Sequence, residues 1–135
     1  MKSLALVVFA IHAVLEAVLG LNALISGGFS SLSAEQLAEM PPEVRVSARF
    51  LGAALLSLGL MGAWVIFWPG VRSPVGRQMA LLLAGFHLIG LAGAAFTALF
   101  APALWISFHT WGAMVIHGLL GLGFLTISRG VKLKR

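Results

Sequence analysis

His12 and Glu16 lie one helical turn apart inside the apolar run Leu4–Ile25. At that spacing an imidazole and a carboxyl share a helix face and can share a proton or a ligand. Glu16 is the only acid within a long apolar run, whereas Glu35, Glu39 and Glu43 stand together in one polar stretch. A carboxylate in hydrocarbon is costly unless it is paired, protonated or turned toward a wet cavity. His12 and Glu16 are therefore the candidate catalytic pair. Asn22, Arg49, His87, His109 and His117 are the other polar groups set into apolar sequence, and they are candidate ligand-binding residues.

The elements that must position these groups are four apolar runs, 4–25, 46–68, 79–100 and 104–127. Each is close to the ~20 residues that cross a hydrocarbon core as a helix. The chain is 60% hydrophobic and 10% charged over 135 residues, too few charges to cover a water-facing surface. The expectation is an all-α fold: an antiparallel bundle of four transmembrane helices forming a single membrane domain. Ser33-Ala34-Glu35-Gln36 fits a capping box, which predicts a short interfacial helix in the first loop before Pro41-Pro42. The second span is expected to begin near Arg45. The short turn at Ala101-Pro102 makes spans three and four antiparallel neighbours.

Small and polar residues share one stripe of the first span: His12, Ala13, Glu16, Ala17 and Gly20. In a membrane such a stripe faces other helices, and the bulky aliphatics face lipid. In span two, Arg49 shares a stripe with Gly52, Ala53, Leu56 and Ala63. It has two readings, snorkelling to the headgroups or pointing inward to hold an anion. In span three His87 joins Ala80, Ala84, Leu91, Ala94 and Ala98, and Gly90, Gly93 and Ala94 permit close helix approach. In span four His109, Ala113, His117 and Gly121 follow every fourth residue.

Helical rise converts these positions to depth. From the cytoplasmic ends His12 lies roughly 12 Å in, Glu16 roughly 18 Å, His87 roughly 12–15 Å and His117 roughly 15 Å. Three spans thus place titratable groups in one midplane layer. Asn22, Arg49, Ser107, His109 and Thr110 form a second layer nearer the outer face.

The net charge is +5. Lys2, Arg72, Arg77, Arg129, Lys132, Lys134 and Arg135 flank one set of span ends, and only Arg45 and Arg49 flank the other. That asymmetry follows the positive-inside rule and predicts an inner-membrane protein with both termini cytoplasmic. The basic tail reads as a topology and anionic-lipid anchor rather than a nucleic-acid arm. Lys2 before an apolar run invites a signal-peptide reading, but the run exceeds an h-region and carries His12, Glu16 and Asn22, so it reads as a retained span. The absence of cysteine excludes disulfides, thiolate chemistry and iron–sulfur clusters.

The stretch from Pro42-Glu43-Val44-Arg45 through Arg49-Phe50-Leu51-Gly52 to Leu58-Gly59-Leu60 resembles the second span of DoxX-like small membrane proteins. There an arginine enters an R-x-L-G run followed by L-G-L. The resemblance implies a four-helix membrane bundle, and some members are linked to quinone or redox complexes. Only Arg49 carries over, as the motif arginine. His12, Glu16, His87 and His117 have no counterpart in that pattern.

Three functions compete. The first is a site for a lipophilic small molecule, with His12 and Glu16 as an acid–base pair suited to double-bond isomerisation, cyclisation or hydration. The second is a haem or quinone site, for which His12 and His87 on diagonal spans are the axial pair. A divalent metal held by His12, Glu16, His87 and His117 is a weaker variant, since the spacings match no metal motif. The third is a structural accessory subunit whose polar layer fixes helix register, each intramembrane hydrogen bond contributing ~0.6 kcal/mol. The small-residue stripes of spans two and four also suit homo-oligomerisation or insertion in a larger membrane complex.

Overall fold

The computed structural model describes residues 2–28, 32–100 and 108–130. These form five helices: α1 Lys2–Ser26, α2 Ala34–Glu39, α3 Pro42–Phe67, α4 Pro74–Phe100 and α5 Phe108–Ser128. No strand occurs among the described residues. All but α2 are long and apolar enough to cross a membrane. The chain is an all-helical, multi-pass membrane protein by length and composition.

Helix starts follow capping chemistry rather than hydropathy. α3 begins at Pro42 and α4 at Pro74, each earlier than the apolar run predicts. Proline at the first helical position forfeits an N–H that has no partner there anyway. Ser73 caps α4, its Oγ accepting from the Gly76 N–H at 2.9 Å. α2 carries the expected reciprocal box: the Ser33 N–H donates to Gln36 Oε1 at 2.8 Å, and the Gln36 N–H donates to Ser33 Oγ at 3.2 Å. Leu37 of α2 lies against Gly28, leaving no room there for a Cβ. α1 stops at Gly27, whose φ of 72° ends the helix. The expected start of the last span at Leu104 and the turn at Ala101-Pro102 lie outside the described residues, as does the tail beyond Gly130.

The chain groups into two compact units, one of residues 1–8 and 68–135, the other of residues 9–67. In the second, α1 and α3 touch backbone to backbone. A Cβ on Gly59 would lie 2.8 Å from the Ala17 nitrogen and 2.9 Å from the Ala13 carbonyl oxygen. A Cβ on Gly52 would lie 2.5 Å from the Leu24 nitrogen. The buried face of α3 is Ala48, Gly52, Leu55, Gly59, Gly62 and Val65. This is one position round from the stripe that contains Arg49, and Arg49 itself is exposed. The inward reading of Arg49 is thereby corrected: close packing selects the glycine stripe, and that rotates Arg49 outward.

In the other unit α4 packs on α5. Leu88 meets Gly121, His117 meets Gly90, Leu91 meets Gly118 and Arg77 meets Gly130. Ala80, Ala84, His87 and Ala98 of the expected α4 stripe are buried. Gly93, expected to admit a neighbouring helix, has open space where its Cβ would stand. Outward positions such as Val14, Val18, Phe50, Leu82, Ile89 and Leu119 are exposed. Bulky aliphatics face out and small residues face in, the pattern that lipid favours.

The α1–α3 seam gives a stability test. Gly59→Val is expected to lower unfolding free energy by about 1–3 kcal/mol, because its branched side chain must separate the helices. Gly85→Ala, whose Cβ meets nothing within 4 Å, is expected to be neutral or to gain up to about 1 kcal/mol. Denaturant unfolding in detergent reads both, and equal effects would contradict the backbone contact.

Candidate functional site

His12 and Glu16 are both buried, at 0% and 5% exposure. Their side chains approach to 3.9 Å between Nδ1 and Oε1, outside hydrogen-bond distance but within ion-pair reach. The other ring nitrogen, Nε2, lies 3.1 Å from the Leu58 carbonyl oxygen of α3. A carbonyl only accepts, so Nε2 carries the proton and donates it. Gly62 makes that contact possible. It sits one turn beyond Leu58, and a Cβ there would lie 2.8 Å from His12 Cδ2. The chain thus fixes which imidazole nitrogen turns toward the carboxyl. Nδ1 stands 3.9 Å from the Glu16 carboxyl.

A second imidazole arrangement occupies the other unit. His87 of α4 is fully buried, and its Nδ1 lies 3.0 Å from Nδ1 of His117 on α5. One Nδ1 must donate and the other accept, so the two rings hold opposite tautomers around one shared proton. Phe124 stacks on His87 at 5.8 Å with 10° between the planes, and Phe86 meets its edge at 5.0 Å. Gly90 gives the His117 ring its place, since a Cβ there would lie 3.0 Å from Cε1. At 3.0 Å the two nitrogens are within hydrogen-bond distance of each other.

His12 and His87, the pair expected for axial haem ligation, belong to different units. Asn22 is half-buried, and its Oδ1 is enclosed without a hydrogen-bond partner among the described residues. Arg49 borders an apolar groove with Leu24, Val46, Phe50 and Ala53. His109 starts α5, but its side chain, like those of Ser107 and Thr110, lies outside the described residues. Three participants escaped the sequence reading: the Leu58 carbonyl, the His87–His117 partnership, and Arg45. The Arg45 side chain lies against Gly27, with its Nε buried and unpartnered among the described residues. Gly62 and Gly90, each where a ring must enter, were the available signals.

No family model matches the chain, and no curated protein or solved structure matches it significantly.

The imidazole pair makes a spectroscopic prediction. Solid-state ¹⁵N spectra of histidine-labelled protein at neutral pH are expected to show one protonated and one bare Nδ1 in His87 and His117. Two protonated Nδ1 atoms would contradict the contact.

Proposed function

We propose that this protein is an antiparallel four-span membrane bundle, termini on the cytoplasmic side, that performs acid–base chemistry on a lipophilic small molecule. The opposed running of residue numbers along the α4–α5 contacts and the basic flanks of the span ends support the topology. The observation that carries the function is the polarity of the His12–Glu16 pair. Nε2 donates to Leu58, and Nδ1 stands within ion-pair reach of the carboxyl, so an imidazole and a carboxyl are held side by side for acid–base work. A pair of that kind takes a proton from one carbon of a substrate and returns one at another, which shifts a double bond with no net change in composition. A bilayer-embedded pair meets substrates that partition into lipid, and isomerisation or cyclisation of such a molecule needs no redox partner.

The redox alternative rests on the DoxX-like resemblance and takes the form of a quinone site, with an imidazole donating to a quinone oxygen. Absorbance of detergent-purified protein separates it, since a bound quinone or haem has its own spectrum.

Acid–base turnover carries solvent hydrogen into the product. Membranes containing the protein, incubated in D₂O and analysed by untargeted lipid mass spectrometry, are expected to show a deuterium-enriched lipophile. Glu16→Gln is expected to abolish that enrichment. Equal enrichment in Glu16→Gln would remove the assignment.

A further inference from the structure

We infer that the seam between the last turn of α1 and the first turns of α3 is a specific seat for an anionic phospholipid, its phosphate held between Arg45 and Arg49 and one acyl chain lying in the adjoining groove. This site is separate from the His12–Glu16 pair and does not rest on the acid–base reading.

Three observations carry it. The groove is lined by Leu24, Val46, Arg49, Phe50 and Ala53 and has a volume of about 280 Å³. That is at the small end of ligand sites and suits one hydrocarbon chain. Its lining surface is wholly apolar, the stem of Arg49 included.

Arg45 and Arg49 stand four residues apart on α3, where like charges on one helix face repel. The only ion pair found among the described residues is that of His12 with Glu16, so neither arginine has an acidic partner there. Arg45 lies against Gly27, and Arg49 borders the groove beside Leu24, one turn earlier. A phosphate between them would relieve the repulsion at both positions.

The third observation is the buried Arg45 Nε, which has no acceptor among the described residues. A buried donor left unpaired is expensive, and guanidinium groups match phosphate oxygens in geometry. Swinging out to a headgroup phosphate gives the guanidinium the acceptor it lacks where its Nε is enclosed. The seat lies at the ends of two membrane-crossing helices, where headgroups reside. A bilayer phospholipid therefore presents its phosphate and its chain to the two halves of the seat together. Glu43 is exposed nearby on α3, and its backbone carbonyl accepts from Ser47.

The test reconstitutes the full chain in nanodiscs containing equal phosphatidylglycerol and phosphatidylcholine, then counts retained lipid by native mass spectrometry. The wild type is expected to retain phosphatidylglycerol in preference. The double variant Arg45→Gln, Arg49→Gln is expected to lose about thirtyfold in that preference, from two cations near the membrane surface. Ala53→Phe, which fills the groove and leaves both charges in place, is expected to lose retention as well. Equal retention of the two lipids by the wild type, or undiminished preference in the double variant, overturns the seat. Loss in the double variant with full retention in Ala53→Phe overturns the chain-binding groove. Loss in Glu16→Gln would overturn the separation of this site from the acid–base pair.

Discussion

Two helices meeting backbone to backbone decide where chemistry can happen in the Phe9–Phe67 unit. Lipid offers no hydrophobic drive to bring helices together, so association relies on close packing and on hydrogen bonds between them. The α1–α3 seam uses both. Gly52 and Gly59 let the α1 backbone approach α3, and at that separation the His12 ring reaches the Leu58 carbonyl. A side chain at Gly62 would push the ring away. The tautomer of His12 is a consequence of helix spacing.

The α4–α5 pair solves a related problem by a different contact. His87 and His117 hydrogen-bond to each other. Phe124 and Phe86 enclose His87, so the shared proton sits among aromatic faces. Gly90 plays the part that Gly62 plays for His12, giving up its side chain to admit an imidazole. In each unit a ring that would be costly in lipid is placed by a glycine on the neighbouring helix and hydrogen-bonded there.

Much of this was legible from residue order, within limits set by physics. Continuous apolar runs specify membrane-length helices because the bilayer demands internal hydrogen bonding. Ser33 and Gln36 announced the α2 cap, and the four-residue spacing of His12 and Glu16 put them together on any helix. What residue order does not carry is the rotation of one helix against another. Arg49 and the glycine stripe differ by a single position, and only the α1–α3 contact decides which turns inward. The His87–His117 contact joins two helices, and the acceptor for His12 is a backbone carbonyl, which every residue possesses. Helix starts moved toward Pro42 and Pro74 because capping chemistry extends a helix past its apolar run.

The most direct test is a distance in the membrane-embedded protein. With ¹⁵N-histidine and ¹³C-carbonyl leucine, solid-state dipolar recoupling is expected to join His12 Nε2 to the Leu58 carbonyl at hydrogen-bond range, matching the 3.1 Å contact. The same spectrum is expected to show the proton on Nε2. Absence of that coupling, or a neutral His12 ring protonated on Nδ1, would contradict the account, because Nε2 would then have no proton to donate to the Leu58 carbonyl.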